Sequence, residues 1–162
     1  MILFELVPLG DVYSDAVEHL LDRVFGADRH GRTAYRLRAG VDAVPELSFA
    51  AVEHGTLVGS IQCWPVELAG DDGSVTPMIL VGPVAVSPER QNVGIGRALM
   101  WKAIEGAGDD VLMLIGDLDY YAQFGFDAAH TGAWRLPGPF ERARLLSRGP
   151  APNRAGTVGP RR

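Results

Sequence analysis

The stretch VGPVAVSPERQNVGIGRALMWKAIEG, residues 81–106, decides how this chain is read. It opens as an apolar strand, turns through Ser87-Pro88-Glu89-Arg90, and enters Gln91-Asn92-Val93-Gly94-Ile95-Gly96 before a helical pattern begins. Ile95, Leu99, Met100, Ala103 and Ile104 share one half of that helix, and Arg97, Trp101, Lys102 and Glu105 the other. A helix that starts on two glycines presents backbone N–H groups and the positive end of its dipole, with no Cβ to keep an anion away. The same composition also suits a tight turn that binds nothing. Two other phosphate loops fail on spacing. A P-loop needs Lys and Ser or Thr where Arg97 and Ala98 stand, and a dinucleotide fingerprint needs a third glycine at Leu99.

Outward from this stretch, the periodicities alternate between strand and helix. Residues 2–8 read as a first strand closed by Pro8 and Gly10. Asp11 is placed to cap a helix carrying Tyr13, Ala16, Val17, Leu20, Leu21 and Val24 on one face, which Gly26 ends. FGADRHG is a loop, and a shorter helix covers 32–39. Residues 47–52 are strand-like, and His54-Gly55 turns into TLVGSIQCWPVEL. There Leu57, Gly59, Ile61 and Cys63 share one face and Val58, Ser60, Gln62 and Trp64 the other, a period of two that marks a hairpin. AGDDGS is a turn, and 75–86 is a densely apolar strand broken by Pro83, a residue suited to an edge, a bulge or a gap in pairing. Gly106 and Gly108 end the central helix, and VLMLIGD follows as a buried strand. Residues 118–124 form a short helix stopped by Gly125, and Phe126 opens a strand running through Trp134 and Leu136. The tail RGPAPNRAGTVGPRR suits either a disordered extension or a last strand.

At 162 residues, 47% hydrophobic and 22% charged, the chain is expected to be one globular domain. A net charge of -5 argues against a nucleic-acid partner. The single cysteine, Cys63, forms no internal disulfide and fits a reducing, cytoplasmic setting, and His19, His30, His54 and His130 lack ligand spacing, so no metal is expected. No apolar run approaches the roughly 18 residues of a membrane span, and MILFELVPLGD has no basic leader, so neither membrane nor signal peptide is expected.

Gln91, Gly94 and Gly96 match the [RQ]-x-x-G-x-[GA] acyl-CoA motif of the GCN5-related N-acetyltransferases (GNAT), and the chain resembles that family. A second motif agrees with it. GDLDYYAQFGF, residues 116–126, resembles the family's later strand–helix–Tyr-x-x-x-Gly-Phe run, in the form G-D-x-x-Y-Y-x-x-F-G-F of a bacterial subgroup. Many relatives carry an Asn seven residues before the tyrosine, where this chain has Leu114.

The resemblance implies an α/β (α+β) fold: a mixed, mostly antiparallel sheet of six to seven strands, helices on both faces, and a splayed parallel strand pair. It implies acetyl-CoA as cosubstrate, with Val84, Ala85 and Val86 offering main-chain groups to pantetheine and Gln91, Asn92, Val93, Gly94, Ile95, Gly96 and Arg97 cradling the pyrophosphate. Tyr121 is the implied general acid to the CoA thiolate, with Tyr120 the fallback. The implied reaction is acetyl transfer to a primary amine of a small molecule or peptide. The base stays open between Glu67, Asp117 and a water chain, and a homodimer is open too. His30, Arg32, Arg36 and Arg38 form a basic group that suits either an acidic acceptor or a solvated helix face. The competing reading is a non-catalytic acyl-CoA-binding or sensor module of the same fold.

Overall fold

The computed structural model describes residues 3–162. Eight strands hydrogen-bond into one sheet: β1 (Glu5–Pro8), β2 (Phe49–Glu53), β3 (Thr56–Gly70), β4 (Val75–Val86), β5 (Leu112–Ile115), β6 (Trp134–Arg135), β7 (Leu145–Arg148) and β8 (Gly156–Pro160). The main path runs β1-β2-β3-β4-β5-β7, while β8 pairs with β3 and β6. The helices are α1 (Ser14–Phe25), α2 (Thr33–Arg36), α3 (Ile95–Ala107) and α4 (Leu118–Tyr121). The sheet is mixed and mostly antiparallel. Its parallel pairs are β4–β5, limited to Ile79↔Leu112 and Leu80↔Met113, and β6–β8.

The chain divides into two compact units. The first comprises the residues up to His30, Ala43–Cys63 and Gly82–Gly108. Its strands β1, β2 and the start of β3 are antiparallel, and the register skips Val58, because Val52 pairs with Leu57 and Ala51 with Gly59. That bulge overturns the simple alternation expected for β3. Leu57 packs with Val17, Leu20, Leu21 and Ala85 under α1, whereas a Cβ on Gly59 would lie 2.8 Å from Ile95 and 3.2 Å from Leu99 of α3. One extra residue sends two same-parity positions to different helices. The α3 face expected from the sequence is the buried one: Ile95, Leu99, Met100, Ala103 and Ile104. Each of the larger side chains contributes about 1.5–3 kcal/mol of burial.

The second unit comprises Gly31–Asp42, Trp64–Val81 and Asp109–Arg162. Its core gathers Leu37, Val66, Leu68, Met78, Leu80, Met113, Leu145 and Val158 around the fully buried Trp134, whose indole N–H donates to Pro152 O at 3.2 Å.

Several expected boundaries move. The first strand begins at Glu5, and Ile2, expected to open it, lies outside the described residues. Asp11 closes a 3-10 turn, and Tyr13 takes the α1 cap without a side-chain bond. Gly106 stays inside α3, where a side chain would press on Leu47 at 3.0 Å, and Gly108 alone ends the helix. The strand expected from Phe126 to Leu136 is mostly turn: Asp127 bridges Ser147, and only Trp134–Arg135 pairs. Strand β7 had no expectation; Leu145-Leu146 before Ser-Arg-Gly-Pro was its only cue. The tail resolves as a strand, with β8 antiparallel to β3 from Val66↔Pro160 to Gly70↔Gly156.

Candidate active site

In the first unit, the glycine turn is held from both sides. Pro88–Arg90 forms a 3-10 turn, and the Ser87 N–H before it donates to Val58 O at 2.8 Å. Arg23 of α1 grips Glu89 through two bonds of 2.9 and 2.8 Å, and Arg90 pairs with Glu53 of β2 at 2.6 Å. The first pair is solvent-exposed and worth little, although its arginine holds the Glu89 carboxyl below the usual range. The second is more enclosed, with Glu53 at 15% exposure, and is the stronger anchor.

Beyond that anchor, Asn92 and Gly94 adopt left-handed backbone with φ of 66° and 91°. Asn tolerates that region, and Gly enters it without strain. Gly94 occupies the N-cap of α3 and has no side chain to bond the first amides; the first intrahelical bond is Ala98 N–H to Gly94 O at 3.0 Å. The N–H groups of Ile95, Gly96 and Arg97 therefore lack both an intrahelical acceptor and a side-chain cap. An ordinary globular helix places Ser, Thr, Asp or Asn here. A Cβ built on Gly94 would meet nothing within 4 Å, so the cap faces open space. This is a fitting cradle for a diphosphate: uncapped donors, the positive helix end and room to approach.

The remaining expected cofactor contacts lie around this turn. Gln91, Asn92, Val93 and Arg97 are exposed, and Ile95 is buried, leaving only its main chain to offer. Gly96 is half-buried in the first turn of α3. At the end of β4, Ala85 commits its side chain to the α1 cluster, while Val84 and Val86 are half-buried. The Gly82–Pro83 peptide is cis.

In the second unit, Tyr121 ends α4. Its ring lies over Gly116, where any Cβ would collide with Tyr121 Cε2, and stands edge-on to Tyr120 at 4.9 Å and to Phe126 at 6.2 Å between centroids. Gly125 closes the segment at φ 86°. Burial pushes the Tyr121 phenol up to about 12; the neighbouring Tyr120 and Asp117 push the same way, and Arg144 opposes them. Gly116 as the residue that makes room for the ring was not foreseen, although the Gly-Asp pair ending the strand was visible.

The two expected bases differ in setting. Asp117 is exposed and caps α4 by accepting from the Asp119 N–H at 3.4 Å, whereas Glu67 is half-buried in β3 opposite Gly159. In the basic group, Arg32 occupies the N-cap position of α2 without a side-chain cap bond, Arg36 donates to Pro137 O at 2.9 Å, and Arg38 stacks over Tyr35 at 3.7 Å and Trp64 at 4.2 Å. Those two arginines have structural work within their own unit. His30 lies exposed in a 3-10 turn. Among the described residues, no group of three or more His, Cys, Asp or Glu is arranged to hold a metal, and no helix is long and apolar enough to cross a membrane.

Comparison with known proteins converges on one family. Residues 14–126 match the acetyltransferase (GNAT) family model. An uncharacterized N-acetyltransferase of Escherichia coli K12, YjhQ, is 30% identical over 132 residues, covering 78% of this chain and 72% of the relative. Among solved structures, the GNAT protein YhbS of E. coli, crystallised with CoA, superposes with a TM-score of 0.73 at 21% identity over 98% of this chain and 89% of its own. A GNAT acetyltransferase of Brucella melitensis, in complex with acetyl-CoA, gives 0.65 at 26% identity over 96% and 94%. The chain belongs to the GNAT acetyltransferase family.

Proposed function

We propose that this protein transfers an acetyl group from acetyl-CoA directly to a primary amine of a small molecule or peptide, in the cytoplasm. Within the family we assign it to the subgroup with the G-D-x-x-Y-Y-x-x-F-G-F motif. The observation that carries the reading is the uncapped α3 N-terminus behind the left-handed Gly94. The relatives crystallised with CoA and acetyl-CoA support the choice of cosubstrate.

In this reading the amides of residues 95–97 hold the pyrophosphate, Arg97 adds charge from the side, and the main chain at Val84–Val86 lies along pantetheine. Tyr121 stands ready as a proton donor. Its phenol, pushed up to about 12, is fully protonated at neutral pH. Against a thiol near 8.5, complete proton transfer from such a phenol is uphill by about 5 kcal/mol. Tyr121 therefore acts first as a hydrogen-bond donor to charge developing on sulfur and gives up its proton late. The amine must arrive neutral, through a water chain or through Glu67; the capping role of Asp117 makes it the weaker candidate.

Calorimetry with acetyl-CoA, followed by CoA-thiol release across an amine panel, tests the proposal. Saturable binding with amine-dependent release is expected. Binding without release across the panel would favour the non-catalytic acyl-CoA module, and no binding would sink both readings. Size-exclusion chromatography with light scattering decides whether the protein works as a homodimer.

A further inference from the structure

We propose that Arg144 is a positioning residue for acetyl transfer: its main chain meets the Gly116 that the Tyr121 ring covers, and its guanidinium supports the phenol as proton donor. The inference rests on the proposed role of Tyr121 and adds a residue that neither family motif contains.

The placement follows from strand register. β5 and β7 pair antiparallel from Leu112↔Arg148 to Ile115↔Leu145. One step further, where the 3-10 turn Arg142–Arg144 leads into β7, the Gly116 N–H donates to Arg144 O at 2.9 Å, so the two main chains meet there. The Cβ direction of Gly116 is the one the Tyr121 ring fills. Arg144 is thus tied by its main chain to the residue that the ring covers.

Its neighbours in sequence sharpen the contrast. Arg142 donates to Thr131 O and Trp134 O, both at 2.8 Å, and Arg148 donates to Phe124 O at 2.7 Å. These two guanidinium groups hold loops in place. Among the described residues, no hydrogen bond or ion pair engages the Arg144 side chain, which is exposed. The charged and titratable groups acting on Tyr121 are Tyr120 and Asp117 from α4 and its cap, and Arg144 from the segment across the ladder. Arg144 is the one cation among them, and it favours the ionised phenol against the burial that opposes it.

The chemistry balances with Arg144 as a spectator charge. The amine nitrogen forms the C–N bond while the C–S bond breaks and its electron pair stays on sulfur. The Tyr121 O–H bond breaks as S–H forms, leaving a transient phenolate beside the guanidinium. The phenolate then regains a proton through solvent from the nitrogen that has become an amide.

The test replaces Tyr121 with fluorotyrosine, whose phenol ionises at lower pH, and follows its 19F shift against pH in proteins carrying Arg144, Arg144→Gln or Arg144→Lys. In Arg144→Gln the midpoint should rise by about half a pH unit, roughly a threefold loss in ionisation constant. Arg144→Lys should restore most of that shift. In the protein with natural Tyr121, Arg144→Gln should lower kcat about fivefold with the KM for acetyl-CoA unchanged. An unmoved midpoint, or a kcat loss that Lys does not rescue, overturns the proposal. Its failure is separable from that of the proposed function. Full turnover in Tyr121→Phe removes the donor itself, whereas an unmoved midpoint removes Arg144 and leaves Tyr121 standing.

Discussion

The glycine turn of the first unit and the tyrosine segment of the second both depend on glycine, for opposite reasons. At residues 91–97, Gly94 keeps the surface bare so that main-chain donors face outward. At residues 116–126, Gly116 leaves a hollow that a ring fills, and the proposed chemistry rests on one side-chain hydroxyl. The first arrangement tolerates changes of side chain and suffers from added bulk; the second suffers when one functional group is lost. Binding of a diphosphate needs several modest donors at once, whereas proton donation needs one group in one place.

The largest expected effect breaks the second half of that comparison. Tyr121→Phe should lower kcat by about a hundredfold or more while leaving acetyl-CoA affinity by calorimetry unchanged. A variant with normal turnover would reduce Tyr121 to a packing residue. The converse is expected in the turn. Gly94→Val forces a β-branched residue to φ 91° and blocks the open cap, so acetyl-CoA affinity should fall about thirtyfold. If melting temperature falls but affinity holds, the glycine serves only the fold.

A third effect concerns the interior of the first unit. Burial pushes the Cys63 thiol up to about 12 from its ordinary value near 9. The folded protein keeps this thiol neutral, whereas the unfolded chain ionises it above pH 9. Its contribution is thus complete below pH 9 and is lost as pH rises toward 12. Tyr121 acts the same way between about 10 and 12. Urea unfolding at pH 8 and pH 10.5 should show a drop that shrinks by about 2 kcal/mol in Cys63→Ala. An equal drop in both proteins would assign the alkaline instability elsewhere. The smallest effect tests the anchor of the turn: Glu53→Gln, which loosens Arg90, should weaken acetyl-CoA about fivefold with kcat unchanged.

The sequence was most legible where function constrains the backbone locally. The Q-x-x-G-x-G run, the buried face of α3 and Gly125 as the end of a short helix are read within a dozen residues, because left-handed glycines and a 3.6-residue apolar period leave local marks. The β3 faces were misread because a bulge depends on the partner strand, and period-two counting has no term for a skipped residue. The basic residues Arg36 and Arg38 looked like surface charge because a carbonyl at Pro137 and a ring at Trp64 are remote in sequence.

By itself, then, the sequence determined the acetyltransferase family, an α+β architecture and the place of the glycine turn, all through patterns spanning a few consecutive residues. Tertiary structure alone decided that Arg23 and Glu53 hold that turn, that the tail closes as β8, and that the Arg144 main chain meets the Gly116 under the Tyr121 ring. Those facts depend on the register between strands distant in sequence. Register is set by the packing of whole faces, which no single segment encodes.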